Sequence, residues 1–272
     1  MDAAERDAML AADEGHWWYR GRRRVIRAEL ERMAPGWGLR MLDAGCGSGR
    51  TLTELAWFGD ALGVDADPVC VRTATSRGHS VRLGSIAYLP FPLSRFDLIT
   101  CLDVIEHLPD DVAALTELRR VTAPGGHALV TVPAFQSLWS DHDEANEHLR
   151  RYRAPQLRAA ATAAGWTTER ITYFNSLLFA PAALVRIARR LRRRPRPAGR
   201  SDLDLTPARL DPLLELPMRA EAALLRRGLR LPAGLSLLAI LANDDQSSEI
   251  TVRSFQKATR SLIGSTPGSG SG

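Results

Sequence analysis

Leu39-Arg40-Met41-Leu42-Asp43-Ala44-Gly45-Cys46-Gly47-Ser48-Gly49 decides the fold. Its first part, Leu39–Asp43, is a short apolar run that reads as a buried strand. Its second part is a glycine loop whose backbone can approach a ligand closely and take positive φ. Ser48–Phe58 then reads as a helix, with Ser48 as candidate N-cap. Outward from this unit the same alternation continues. Strands are expected at Ala61–Asp65, His79–Gly84, Phe96–Leu102, His127–Val132 and Trp166–Tyr173. Helices are expected at Pro68–Arg77, Asp110–Val121 and Pro155–Ala164, the middle one ended by Pro124-Gly125-Gly126. Such alternation predicts an α/β fold, a doubly wound and mostly parallel sheet with helices on both faces.

Alone, a GxGxG loop is weak evidence. It suits a dinucleotide phosphate, a tight turn or another nucleotide. Two acids narrow the choice. Asp65 closes the second strand, where a carboxylate can accept both hydroxyls of a ribose. Asp43 stands immediately before the glycines, where it would repel a pyrophosphate but suits a cationic ligand with sulfonium and ammonium groups.

Five segments occur in a family order: DAGCGSGR, GVDADP, the YLPF stretch, FDLITCLDVIEHLPD and APGGHALVTVP. Together they resemble the class I S-adenosylmethionine-dependent methyltransferases over roughly residues 39–173. The resemblance implies a Rossmann-like core and S-adenosyl-L-methionine as cofactor. It places Gly45 and Gly47 under the methionine moiety, Asp65 at the ribose and Ala66 beside the adenine. Ser85 and Ile86 fall where the family often has an acid and an apolar residue beside the adenine. Leu102 and Asp103 would approach the methionine end. The competing readings are a nicotinamide-dependent oxidoreductase on a similar fold and a cofactor-binding relative that does not methylate.

Methyl transfer needs an aligned nucleophile and often a proton acceptor. Candidates cluster in Trp139–Tyr152, after the fifth strand. His148 and His142 are the candidate bases, and a helix here would place Asp141, Glu144 and His148 on one face. The bland alternative is a solvated helix with Arg150 and Arg151 pairing Glu144 and Glu147. No ligand spacing in this loop matches a metal motif, so no metal is expected. A W-S…D…H-x-R-R-Y pattern resembles a subgroup of bacterial enzymes of cell-envelope or natural-product chemistry, implying oxygen as acceptor atom. His107 reads equally as a ligand contact or a helix cap.

The domain reading is a helical lid at 1–36, the cofactor-binding core at 37–174, a helical, Arg-rich insertion at 175–232, a final strand region at 233–255 and a flexible tail at 256–272. Within the lid, Trp18, Tyr19 and Arg23 are candidate cofactor contacts. The segment Leu203–Leu231, interrupted by Pro207, Pro212 and Pro217, reads as short helices, and Gly234–Leu241 as the last strand. The net charge of +5 is local, because eight arginines fall between Arg186 and Arg200 without an acid. With the apolar run before it, the stretch 177–200 reads first as an insertion helix packed on the sheet edge before the last strand; it could also touch an anionic membrane surface, wall a pocket for an apolar or lipid-linked acceptor, or form a homodimer contact. It lacks the interleaved aromatics of a nucleic-acid site. Three cysteines without CxxC spacing exclude a zinc ribbon or disulfide scaffold. No signal-peptide core or membrane span is evident. The expected partner is a small-molecule acceptor, and the expected location is cytoplasmic or membrane-peripheral.

Overall fold

The structure is a computed structural model, and it describes residues 3–33, 38–180, 183–184 and 210–244. The arginine run, the linker around Pro195 and the tail lie outside these residues. Seven strands form one sheet: β1 (Leu39–Ala44), β2 (Gly59–Asp65), β3 (Val81–Leu83), β4 (Phe96–Leu102), β5 (Thr122–Pro133), β6 (Thr167–Phe174) and β7 (Ser236–Ala242). Their order is β3-β2-β1-β4-β5-β7-β6. All neighbours are parallel except β7, which lies antiparallel between β5 and β6. β7 is buried along its whole length, as its sequence SLLAILA requires. The chain departs in opposite directions from β1 and β4, and this switch point opens a crevice at their C-terminal ends.

Helices cover both faces. On one lie α5 (Asp111–Val121) and α7 (Ala154–Ala163), which bury Leu115, Leu118 and Leu157. On the other lie α2 (Trp17–Met33), α3 (Arg50–Leu55) and α8 (Asp211–Arg226), which bury Ile26, Leu30, Leu55 and Met218. α4 (Pro68–Ser76) follows β2 and packs on the β3 side. α2 and α8 approach closely, since a Cβ on Gly21 would lie 2.7 Å from the Met218 side chain. Glu221 of α8 accepts hydrogen bonds from the backbone N–H groups of Ser176 and Leu177, at 2.7 and 2.8 Å. Thus the described part of the insertion contributes a packed helix, α8. Of the N-terminal segment, α1 (Ala3–Ala12) and the first turns of α2 border the crevice, while the rest of α2 belongs to the core.

Three local expectations are corrected. Ser48 does not cap α3, because the N-cap is Gly49 at φ 82. That conformation suits glycine, and a Cβ there would meet the Ala74 Cβ at 2.9 Å. Pro124-Gly125-Gly126 does not separate helix from strand, because β5 begins at Thr122 and runs through it. Residues 211–226 form one helix despite Pro217. Its missing N–H would have bonded the carbonyl of Leu213, an exposed residue on the solvent side of the helix.

Candidate active site

A cavity of about 380 Å³ lies at the C-terminal ends of β1, β2 and β4. Most of the expected cofactor contacts meet there. Gly45 and Gly47 of the loop, Asp65 and Ala66 at the end of β2, Ser85 and Ile86 after β3, and Leu102 and Asp103 at the end of β4 all line it. Tyr19 and Arg23 close it from α2. Trp18 does not line it. The ring stands one layer back, edge-on to Tyr19 at 4.9 Å and under the Arg22 guanidinium at 5.5 Å.

The glycines are required by geometry. Gly45 has φ +83, and a Cβ there would lie 2.4 Å from Val104 Cγ2. Gly47 has φ +52 and faces open space below Met9, the space a ligand would fill. The loop is tied to Asp65, which accepts the Gly47 N–H at 2.7 Å and the Asp67 N–H at 2.8 Å. Burial raises the Asp65 carboxyl, and these backbone donors pull it part of the way back. Both its oxygens retain lone pairs for the hydroxyls of a ribose.

Asp43 does not touch the cavity directly. It lies behind the loop at 1% exposure. Its Oδ1 accepts from Thr100 Oγ1 at 2.7 Å, while Oδ2 is buried without a hydrogen-bond partner among the described residues. Burial pushes its carboxyl up to about 7, against the opposing influence of Thr100 and Arg22. An orphaned, buried acid behind a glycine cradle fits a cationic ligand in front of it. Asp103, at φ +56 after β4, forms an ion pair with Arg22 at 2.6 Å. Such strained non-glycine residues gather at ligand sites.

The two histidines named as bases do not line the cavity. His148 is nearly buried behind its edge, with Nδ1 2.9 Å from Asp143 Oδ1. His142 lies 3.5 Å from Glu5 of α1. The imidazole that reaches the cavity is His107, stacked edge-to-face on His148 at 4.7 Å. Burial lowers His107 to about 4, with the neighbouring His148 adding to the shift, so it is neutral at physiological pH. The helix expected through His148 stops early: α6 spans only Asp141–Ala145. Asp141, Glu144 and His148 therefore share no helical face. Nor do Arg150 and Arg151 pair with Glu144 and Glu147. Arg151 forms a buried two-bond pair with Asp143, at 2.7 and 2.8 Å, and Arg150 reaches Asp111 at 3.3 Å. Tyr152 donates to Asp111 at 2.7 Å. The D…H-x-R-R-Y pattern is thus a clamp that fixes this loop.

Several lining residues lay beyond the sequence reading: Met9, Asp13, Arg22 and Glu147. Arg22 had a readable signal, since Tyr19, Arg22 and Arg23 share one helical face. Asp13 had none. It is placed by ion pairing to Arg77 at 2.9 Å, which also holds the Ser48 carbonyl.

A family profile described as a methyltransferase domain matches residues 18–171. A Mycolicibacterium smegmatis protein, named a probable S-adenosylmethionine-dependent methyltransferase, is 31% identical over 161 residues, covering 57% of this chain and 62% of its own. A ubiquinone biosynthesis O-methyltransferase of Acinetobacter baylyi is 28% identical over 99 residues, or 33% of this chain and 42% of its own. The chain thus spans less than two thirds of the length of these curated relatives. A Haloferax volcanii methyltransferase, solved with its Trm112 activator, superposes at a TM-score of 0.59 with 20% identity, over 90% of this chain and 95% of its own. With the glycine cradle, Asp65 at the end of β2 and the buried Asp43 arranged in this way on a Rossmann-like sheet, the chain belongs to the methyltransferase-domain family.

Proposed function

We propose that the chain binds S-adenosylmethionine and transfers its methyl group to an oxygen of a small-molecule acceptor, of the natural-product or cell-envelope type. The observation that carries this is the position of His107, whose imidazole lines the same cavity as Gly47 and Asp65, beside the end of β4. A hydroxyl acceptor must lose a proton as it attacks, and a neutral imidazole can accept one. The role assigned from sequence to His148 or His142 passes to His107, with His148 holding it from behind. The cofactor supplies an activated methyl. The cradle and Asp65 hold it, and Leu102 and Asp103 bound the space where an in-line nucleophile would stand. The naming of one relative as an O-methyltransferase supports the oxygen reading.

The test is transfer of labelled methyl to a panel of phenols, catechols, aliphatic alcohols and amines. Label on hydroxyls is expected, and His107→Gln should lower kcat with little change in S-adenosylhomocysteine affinity. Label confined to amines would overturn the assignment.

The acceptor reading extends to apolar or lipid-linked molecules. Leu177, Leu184, Leu213 and Leu216 are 57, 68, 63 and 53% exposed, and in sequence they bracket the arginine run. Apolar surface next to arginines suits an anionic membrane surface. Flotation with anionic but not neutral liposomes tests this, and co-flotation with neither rejects it.

A further inference from the structure

We propose that Glu106, His107 and His148 form a divalent transition-metal site at the acceptor end of the cavity, taking Zn2+, Co2+ or Mn2+. Its catalytic role rests on the oxygen-transfer reading above, whereas its existence does not. One ligand atom from each residue lies within 4.8 Å of the other two, so small side-chain movements bring all three to one centre. The set is two imidazoles and one carboxylate, which binds such cations with a coordination position left open.

Glu106 is the first sign of a ligand. It is 0% exposed, and neither Oε1 nor Oε2 is hydrogen-bonded by another of the described residues. A carboxylate buried without partners is costly, and it is normally paired, protonated or bound to a cation.

His148 is the second and independent sign. Its Nδ1 faces Asp143 Oδ1 at 2.9 Å, and Asp143 is itself held by Arg151. That contact occupies Nδ1 and leaves Nε2 as the ring nitrogen on the Glu106 side, 4.0 Å from its Oε1. The separation is too long for a hydrogen bond and leaves room for a cation held by both atoms. Carboxylate–histidine support of this kind is the usual outer shell of a metal ligand.

The scaffold is stiff on both sides. Glu106 and His107 sit in the 3-10 turn Ile105–His107, and the Leu149 N–H donates to the Glu106 carbonyl at 2.8 Å. His107 lines the cavity and so provides the way in. This departs from the expectation of no metal, which considered only the loop around His148. The ligands come from two separated loops, so no local spacing betrays them.

In the loaded site the acceptor hydroxyl takes the open position and its acidity rises. The O–H bond would break with the proton leaving to water, because His107 as a ligand cannot also be the base; in the loaded site the metal takes over the part given above to the free imidazole. The oxygen then forms the new bond to the methyl carbon, and the S–CH3 electron pair returns to sulfur, leaving S-adenosylhomocysteine.

Untagged full-length protein is stripped with a chelator and titrated with Co2+, read by visible ligand-field absorption, with Zn2+ as competitor. The expected result is one Co2+ per chain, displaced by Zn2+. Glu106→Gln and His148→Ala should each weaken binding by at least roughly 100-fold, and Asp143→Asn by about 10–100-fold. His79→Ala and His127→Ala should leave it unchanged. Retained S-adenosylhomocysteine binding reports that each variant is folded. No Co2+ binding, or equal binding in Glu106→Gln, His107→Gln and His148→Ala, overturns the site. Full transfer to a hydroxyl acceptor in chelator overturns its role in catalysis. Because Co2+ is read without any acceptor, these failures are distinct from a failure of the oxygen reading.

Discussion

Replacing Asp43 with asparagine should remove a pH dependence of stability that runs opposite to the usual acid effect. Asp43 is fully enclosed, and its carboxyl lies near 7 in place of the ordinary 3.8. A raised carboxyl means that the folded chain holds a proton the unfolded chain has released. Between about pH 4 and pH 7, Asp43 therefore makes stability fall as pH rises. At ~1.4 kcal/mol per pH unit, a shift of about three units corresponds to ~4 kcal/mol. His107 works the other way. Its value of about 4 lies below the ordinary 6.5, so its contribution grows as pH rises through that window. The readable quantity is thus the difference between wild type and Asp43→Asn. The carboxamide oxygen of the variant can still accept from Thr100, so the loop keeps its support. Urea denaturation of cofactor-free protein at pH 5, 6, 7 and 8 gives both curves. This range covers most of the window, so the wild type should lose roughly 3 kcal/mol relative to the variant across it. S-adenosylmethionine, with its sulfonium and ammonium charges, should flatten the difference by favouring the ionised carboxylate. Parallel curves for the two proteins would refute the placement of a buried, partly unpartnered acid behind the loop.

Asp65→Ala removes the expected ribose acceptors and the tether of Gly47. At about 1.5–3 kcal/mol for each charge-assisted bond to two hydroxyls, S-adenosylhomocysteine affinity should fall roughly 100-fold or more by calorimetry, and an unchanged Kd contradicts the ribose assignment. Gly45→Ala forces a Cβ against Val104 at 2.4 Å in a left-handed backbone, so cofactor affinity and thermal midpoint should both drop. Arg151→Met leaves Asp143 buried without its guanidinium and should cost about 3–5 kcal/mol in urea denaturation. Arg151 and His148 hold the Asp143 carboxyl well below the usual range. That contribution is therefore complete at neutral pH and disappears as pH falls below about 4.

What the sequence made legible follows from local physics. The strand–glycine–helix unit, Asp65 at a strand end and the buried β4 are written in short periodic runs, and the structure places them as read. Ser48 was misassigned as a cap because capping preference is only statistical, whereas the contact between Gly49 and Ala74 is tertiary. Pro217 did not break α8, because the exposure of Leu213, whose carbonyl is freed, depends on the fold. The choice among His107, His142 and His148 could not be made from spacing. All three lie in segments that follow strand ends, and tertiary contacts such as the Leu149–Glu106 backbone bond and the Asp143–His148 pair place the rings. Met9 closes the cavity from α1, and Asp13 from the turn that follows it.

The insertion of β7 between β5 and β6 sets an order on synthesis. While a ribosome is still making residues 175–235, the chain has already released both strands that β7 will join. Each then shows an unpaired edge, and the seven buried residues of β7 must still arrive from solvent. The nascent protein is therefore sticky until β7 emerges, and a premature stop before Ser236 would leave β6 detached from the sheet. Chaperone capture of such a stalled chain, relieved by supplying β7 in trans, would register that late closure.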